Sequence, residues 1–155
     1  MCLADILRLS EDDLALLLPG VGLEKACDTW HAAGARLVVI TFGGRGALAS
    51  FDGLRVAVAV AASAVDAVDT VGAGDSFTAG LLRRPAAFGH LGGRLDALSL
   101  EAVTDACAFG ARVAAPTCSV TGAGHPAHAA GPAPPRLRGR GAGGRAVLEI
   151  RCGWR

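Results

Sequence analysis

The chain has 155 residues, 52% of them hydrophobic and 19% charged, and its formal net charge is +1. This length allows one domain of ordinary size with a true core but not two large lobes, and the apolar fraction excludes disorder over most of the chain. No basic start leads into a long apolar run, and no stretch approaches the roughly 18 apolar residues of a spanning helix, so neither export nor a membrane is indicated. Five scattered cysteines without a CxxC pair fit reduced thiols, which predicts a cytoplasmic protein.

The first half of the chain predicts two helices and a buried strand. Ser10 precedes three acidic residues and a leucine-rich stretch, which is typical of a helix start, and Pro19 ends that helix. A second helix is predicted over residues 23–33, with Gly34 as its left-handed C-terminal cap. Residues 37–42 form a continuous apolar, β-branched run, which predicts a strand buried on both faces.

A hairpin and two more helices are predicted next. Glycines after residue 42 turn the chain into a strand over 47–51, and Asp52-Gly53 predicts a tight turn into a further strand over 54–60. Beyond a loop, the pattern predicts a helix from Asp75 to about residue 84, ended by Pro85, and a last helix over residues 99–115. This order of elements predicts part of an α/β sandwich.

Charge and composition change near residue 115. Residues 1–115 carry nine basic and thirteen acidic side chains, whereas residues 116–155 carry six arginines, one acid, eight glycines and five prolines. We therefore expect packed structure up to residue 115 and a disordered Gly/Pro/Arg-rich tail over 116–155. A nucleic-acid partner is not expected, because Trp154 is the only tail aromatic and a shifted reading frame in a GC-rich gene would give the same arginine bias.

The segment DTVGAGDSF, which begins at Asp69, carries the chemistry of the chain. Its glycines let backbone N–H groups turn toward one point, and the helix that follows adds its unpaired donors and the positive end of its dipole. Asp75 would hold a carboxylate beside an anion bound there, which suits removal of a proton from an attacking hydroxyl. Taken alone, the same residues could form only a tight loop and a helix cap.

Better-known glycine loops do not fit this segment. Phe77 stands where a dinucleotide-binding GxGxxG motif needs a small residue, and the chain contains no GxxxxGK[ST] sequence. The HRD and DFG signatures of protein kinases are also missing. If this loop binds phosphate, the protein therefore belongs to none of these three classes.

The DTVGAGD segment, followed by Ser76-Phe77 and Ala79-Gly80, resembles the C-terminal signature of the ribokinase-like PfkB family of carbohydrate kinases. Two other segments follow the family's order. Residues 4–6 with 9–11 are similar to a strand end and acidic motif of fructokinase-like members, and residues 41–46 resemble their TxGxxG nucleotide loop. The resemblance covers about residues 3–115 and implies a partial, C-terminal portion of the ribokinase-like three-layer α/β sandwich.

The resemblance also implies roles for the glycine loop. Asp75 matches the catalytic base that takes a proton from the sugar hydroxyl as it attacks the γ-phosphate of ATP. Gly72, Ala73 and Gly74 match the anion hole, whose backbone N–H groups hold the transferring phosphoryl group. ATP, Mg²⁺ and a small sugar are therefore the implied cofactors and substrate.

Further positions match the nucleotide and metal sites of the family. Thr41, Gly43 and Gly46 correspond to residues that line the ATP site. Glu11 corresponds to the acid of the NxxE motif, which acts on Mg²⁺ and phosphate through water. Arg8 departs from the family pattern, because ribokinases have Asn at this position and the fructokinase variant usually has Lys.

The family's N-terminal half, with most sugar-binding residues and a small β-sheet lid, has no counterpart in this chain. Two functions follow as alternatives: an ATP-dependent, fructokinase-like sugar kinase domain that is an incomplete fragment, or a non-catalytic remnant that binds nucleotide weakly or interacts with another protein. A sheet that lacks its first strands exposes an edge and apolar faces, which predicts self-association.

Overall fold

The computed structural model describes residues 4–58 and 69–119, and a four-stranded mixed sheet lies at its centre. The strands follow one another in space as they do in the chain: β1 (Ile6–Ser10), β2 (Leu37–Thr41), β3 (Ala47–Phe51) and β4 (Leu54–Val58). Strand β1 runs parallel to β2, whereas β2, β3 and β4 pair antiparallel. The carboxyl ends of β1 and β2 therefore meet at the same end of the sheet.

Helices cover both faces of the sheet. The helices are α1 (Glu11–Leu17) and α2 (Leu23–Ala32), which lie between β1 and β2 in the chain, and α3 (Ala73–Ala86) and α4 (Leu100–Ala114), which follow β4. Short 3₁₀ turns lie at Gly43–Arg45, Gly93–Leu95 and Ala115–Ser119. One buried cluster joins α1 and α2 to β1 and β2, and a second joins α3 and α4 to β2, β3 and β4. The predicted three-layer α/β arrangement is confirmed.

Strand β2 is the most deeply buried element because helices pack on both of its faces. Val38 and Ile40 belong to the cluster under α1 and α2, whereas Leu37 and Val39 belong to the cluster under α3 and α4. All four side chains are at most 2% exposed. The continuous apolar run therefore predicted this strand correctly, since alternation is lost when both faces are covered.

Several ends of helices and strands lie where local sequence signals predicted them. Ser10 caps α1 in a capping box with Asp13, and Gly34 follows α2 with a φ of 107°. Asp52 and Gly53 form the two-residue turn between β3 and β4 with φ values of 48° and 82°, as the Asp-Gly signal predicts. Strand β4 is described as far as Val58, so the predicted continuation over residues 59–60 lies outside the described residues.

Three predicted boundaries were wrong. Helix α3 begins at Ala73 rather than Asp75, and Pro85 lies inside its last turn, where the missing N–H costs only one hydrogen bond near the end. Strand β1 begins at Ile6, where the resemblance places a strand end, because Ile6 is the first residue to pair with β2.

Packed structure continues past the expected boundary at residue 115. Thr117 is 1% exposed, and its hydroxyl lies 2.9 Å from that of Ser76 on α3. Residues 120–155, which make up the rest of the predicted tail, lie outside the described residues. None of the helices in the described ranges combines the length and apolar character that crossing a bilayer requires.

Candidate active site

A cavity of about 690 Å³ opens at the end of the sheet where β1 and β2 finish. Parallel strands bring the loops after their carboxyl ends to one edge, and ligands bind there in open α/β sheets. The lining comes from β1 and the start of α1, the loop after β2, the start of α3, and the end of α4 with the turn that follows: Arg8, Ser10, Glu11, Asp12, Thr41, Phe42, Gly43, Gly44, Gly46, Thr70, Ala73, Gly74, Phe77, Ala111, Ala114, Ala115 and Cys118. All three sequence segments that resemble the kinase family therefore contribute to one cavity, the acidic motif through Ser10 and Glu11.

The glycine loop has the backbone geometry of a helix N-terminus that can receive an anion. Gly72 is the N-cap of α3 with a φ of 81°, a conformation that favours glycine. Before it, the Asp69 carboxylate accepts a hydrogen bond from the Val71 N–H at 3.0 Å and closes a tight turn. Within the described ranges, the N–H of Gly74, which lines the cavity, has no acceptor, so this donor is available to a ligand.

The predicted residues of this loop occupy different positions relative to the cavity. Ala73 and Gly74 line it, whereas Gly72 and Asp75 do not. The Ala73 N–H donates to the Thr70 carbonyl at 3.2 Å. Asp75 is the third residue of α3 and its side chain is exposed, so the carboxylate lies outside the cavity wall.

The loop after β2 supplies the other wall. Gly43 and Gly46 both line the cavity and have φ values of 58° and 108°, and the turn they form is closed by a hydrogen bond from the Phe42 N–H to the Gly46 carbonyl. Thr41, at the end of β2, accepts a hydrogen bond from Arg8 at 3.0 Å. All three residues predicted to line a nucleotide site are thus brought together.

The acidic residues at the start of α1 do not form a metal cage. Glu11 lines the cavity, but its carboxylate is paired with the Arg45 guanidinium. Asp13 accepts hydrogen bonds from the N–H and hydroxyl of Ser10, which lower the pKa of its carboxyl. No group of three or more His, Cys, Asp or Glu side chains in residues 4–58 and 69–119 is placed to hold a metal ion.

Arg8 lines the cavity, although the sequence analysis gave it no role. Its guanidinium donates to Thr41, lies 5.9 Å from the centre of the Phe77 ring and contacts Gly74. The only signal in the sequence was that a basic residue replaces the family's Asn. Its contacts come from two distant elements, β2 and α3, which no local pattern can indicate.

Comparison with known proteins agrees with this architecture. The family described as "pfkB family carbohydrate kinase" matches residues 2–130. A fructokinase double mutant from Vibrio cholerae O395, crystallised with fructose, ADP and potassium ion, is 27% identical, with a TM-score of 0.64 over 77% of this chain and 36% of its own. An aminoimidazole riboside kinase from Salmonella enterica, complexed with aminoimidazole riboside and an ATP analogue, is 25% identical, with a TM-score of 0.63 over 77% and 37%.

A ribokinase from Thermotoga maritima shares the fold, with a TM-score of 0.59 at 24% identity over 77% of this chain and 37% of its own. The chain thus spans little more than a third of the length of the structures it resembles. Its sheet, its glycine loop at the start of α3 and the family match over residues 2–130 agree with one another, and the chain belongs to the pfkB family of carbohydrate kinases.

Proposed function

We propose that this chain is the nucleotide-binding portion of an ATP-dependent, fructokinase-like sugar kinase, which transfers the γ-phosphoryl group of ATP to a sugar hydroxyl. One observation carries the proposal: the glycine loop before α3 and the glycine turn after β2 line the same 690 Å³ cavity. A helix N-terminus with unpaired N–H groups suits the phosphates, and the turn after β2 suits the rest of the nucleotide. The relatives crystallised with ADP or an ATP analogue support this assignment.

In the proposed reaction, Asp75 removes the proton from the sugar hydroxyl. The hydroxyl oxygen bonds to the γ-phosphorus as the bond from that phosphorus to the oxygen of ADP breaks, and the proton moves to the Asp75 carboxylate. Asp75 is exposed and stands one residue beyond the cavity lining, so it can face a sugar held outside the nucleotide cavity. This position suits a base that acts between two substrates.

Gly72, Ala73 and Gly74 form the proposed anion hole. The Gly74 N–H has no acceptor among the described residues, so it is ready to donate to a phosphate oxygen. The Ala73 N–H would exchange the Thr70 carbonyl for the phosphate. Donors aimed in advance at the place where charge develops contribute most to such a transfer.

Thr41, Gly43 and Gly46 form the proposed nucleotide-binding wall. When bound with ATP, Mg²⁺ would neutralise charge on the phosphates. Because Glu11 is a single carboxylate already paired with Arg45, we assign it only an indirect role in which it reaches the ion through water. No step of the proposed transfer depends on a direct metal ligand from the described residues.

A second candidate function is nucleotide binding without transfer. The chain spans about a third of its relatives, and the Asp75 side chain is exposed, so no described residue forms a sugar pocket around it. A kinase also needs groups that orient the sugar and exclude water. The 155-residue chain alone should therefore bind ATP without transferring its phosphate.

ADP release over a panel of sugars, including fructose, tests both candidates. The 155-residue chain is assayed alone and after fusion to the N-terminal half of a family fructokinase. Sugar-dependent ADP release by the fusion, and none by the chain alone, is expected. Release by the short chain alone would exclude the remnant function, and a folded fusion that binds ATP but transfers nothing to any sugar would exclude the kinase function.

We also propose that the chain associates with itself through β1. Among the described strands, β1 pairs only with β2, so its outer edge offers unpaired backbone donors and acceptors to a second copy. Sedimentation velocity should show dimers or larger species at micromolar concentration. Because the Leu37 N–H donates to the Asp5 carbonyl in this parallel pair, the Ile6 N–H faces the outer edge. An Ile6→Pro variant, which removes that outward donor, should shift the distribution toward monomer, and a wild-type monomer would contradict the proposal.

A further inference from the structure

Thr117 is one of two polar side chains that are buried in the described part of the chain, and it is only 1% exposed. It lies in the turn after α4 (Ala115–Ser119), next to Cys118, which lines the cavity. The Thr117 hydroxyl lies 2.9 Å from the hydroxyl of Ser76 on α3, and either oxygen can donate this hydrogen bond. Because a buried hydroxyl without a partner is costly, the bond to Ser76 favours this position of the turn.

A second hydrogen bond joins the same turn to the loop before α3. The Asp69 N–H donates to the Cys118 carbonyl at 3.3 Å. Asp69 begins the glycine loop, and Ser76 follows that loop in the first turn of α3, where its N–H donates to the Gly72 carbonyl at 2.9 Å. The turn after α4 is therefore attached to the glycine loop at both ends of that loop.

The two hydrogen bonds hold two walls of the cavity against each other. Ala73 and Gly74 line the cavity from the start of α3, and Ala115 and Cys118 line it from the turn after α4. Neither of the two residues with paired hydroxyls is part of the lining, so the pair acts on the walls and not on a ligand. Affinity is higher when a site is ordered before the ligand arrives, because binding then fixes fewer groups. A ligand that contacts both walls should therefore bind more tightly while the pair is intact.

We infer that Thr117 is a positioning residue for nucleotide binding, which acts through Ser76 to hold the turn after α4 in place beside the glycine loop. This inference rests on the proposed function, in which the start of α3 binds the phosphates. A nucleoside triphosphate extends from that phosphate end into the rest of the cavity and contacts both walls. Inorganic tripolyphosphate has no nucleoside and occupies only the phosphate end, so its binding should not depend on the pair.

Calorimetric titration of the full 155-residue chain with ATP and inorganic tripolyphosphate tests the inference. Thr117→Val removes the hydroxyl and keeps the shape of the side chain. It should weaken ATP binding by about 3- to 10-fold, the usual contribution of one hydrogen bond, and change tripolyphosphate binding by less than about twofold. Thr117→Ser keeps a hydroxyl and should restore most of the ATP affinity. Thr104→Val is the matched control and should leave both affinities unchanged, because the Thr104 hydroxyl donates to the Leu100 carbonyl within α4 itself.

The double variant Ser76→Ala/Thr117→Val separates the position of the wall from the stability of the fold. Ser76→Ala alone leaves the buried Thr117 hydroxyl without its partner, so in urea it should lose more stability than Thr117→Val, which leaves only the less buried Ser76 unpaired. Removal of both hydroxyls should recover much of that stability, because no buried hydroxyl is then left unpaired. The ATP affinity of the double variant should nevertheless stay low. If Ser76→Ala does not fold, Thr117→Val and the double variant decide.

Hydrogen exchange measures the position of the turn without any ligand. The Asp69 amide donates to the Cys118 carbonyl, so its exchange reports whether the turn stays beside the glycine loop. In Thr117→Val this amide should exchange about 3- to 10-fold faster than in the wild type, since one of the two attachments is lost. In Thr104→Val the rate should not change.

The outcomes distinguish failure of the inference from failure of the proposed function. Unchanged ATP affinity in Thr117→Val, an equal loss for ATP and tripolyphosphate, or ATP affinity that recovers with stability in the double variant overturns the inference and leaves the proposed function standing. Unchanged exchange of the Asp69 amide in Thr117→Val also overturns the inference alone. If the wild type binds ATP but not tripolyphosphate, the double variant and the exchange rate decide. A wild-type chain that binds neither ligand overturns the proposed function and the inference with it.

Discussion

Helix α3 carries glycines at two sites with different structural demands. Near its start, Gly72 adopts a φ of 81° and Gly74 contacts the Arg8 side chain. Further along, Gly80 crosses Gly110 of α4 so closely that a Cβ on Gly80 would lie 2.7 Å from the Gly110 Cα. The first site is open to a ligand, whereas the second is closed by backbone.

The two sites differ in whether the atoms that a new Cβ would meet can move away. At the α3–α4 crossing, a new methyl group meets backbone atoms of the other helix, which shift only if the helices separate. At the start of α3, a methyl group on Gly74 meets only the far end of a flexible arginine. Substitution at the crossing should therefore reduce stability, and substitution at the helix start should reduce binding.

The largest effect, on turnover, is expected for substitution of Asp75 in the first turn of α3. In the fusion with a family N-terminal half, Asp75→Asn should lower kcat by about 10² to 10⁴, the usual contribution of a positioned general base, with ATP affinity nearly unchanged. Initial rates of ADP release measure kcat, and calorimetry measures ATP affinity. Normal turnover by Asp75→Asn would exclude the role assigned to this carboxylate.

A large change in stability, without a change in chemistry, is expected at the helix crossing. In Gly110→Ala the added Cβ would lie 2.8 Å from the Phe77 carbonyl oxygen, and such overpacking costs about 1–3 kcal/mol. Urea unfolding measures the free energy of unfolding. Gly92→Ala is the matched control, because a Cβ there meets no atom within 4 Å. Equal stability of the two variants would show that the helices can separate at no cost.

The sequence predicted the elements that depend on neighbouring residues better than the contacts between segments that are distant in the chain. The capping box at Ser10, the run before Phe42 and the Asp-Gly turn are local patterns, and the structure confirms the elements they predicted. The position of Arg8 depends on the pairing of β1 with β2 and on the packing of α3, which follow from contacts between distant segments. The Gly80–Gly110 crossing could not be predicted either, because it depends on the packing of α3 against α4.

Gly72 allows a sharper comparison with another strained glycine. Gly20 has a φ of 74° in the turn after α1, close to the 81° of Gly72, but only Gly72 is the N-cap of α3 and directly precedes cavity-lining residues. Both Gly72→Ala and Gly20→Ala should lose about 1–2 kcal/mol of stability through backbone strain. Only Gly72→Ala should also weaken ATP binding, as measured by calorimetry. Equal ATP affinities in the two variants would contradict an anion hole at Gly72.

The smallest effect is expected at the hairpin turn, at the other end of the sheet. A hydrogen bond from Arg36 lowers the pKa of the Asp52 carboxyl below its ordinary value of 3.8. The stabilisation is therefore present above about pH 4 and is lost as the pH falls through the lower, folded-state pKa. Because the Asp52 side chain is 44% exposed, we expect less than about 1 kcal/mol.

Unfolding of the wild type and of Asp52→Asn in urea at pH 6 and pH 3 measures this contribution. Asparagine tolerates the positive φ of this turn, so the variant removes mainly the charge. The difference in stability between the two proteins should narrow at pH 3. A constant difference at both values would show that the ion pair with Arg36 does not contribute.

The turn after α4 provides a chemical reporter of ligand entry. Cys118 lies in the cavity wall and is partly exposed, whereas Cys27 and Cys107 are buried, and burial raises the pKa of both thiols, that of Cys107 to about 12. With Cys2 and Cys152 replaced by serine, an alkylating reagent should modify Cys118 first, because reaction requires an accessible thiolate. If ATP occupies the cavity, it should protect Cys118 from the reagent. Mass spectrometry would then report the occupied fraction as the fraction of chains without the added mass of the alkyl group.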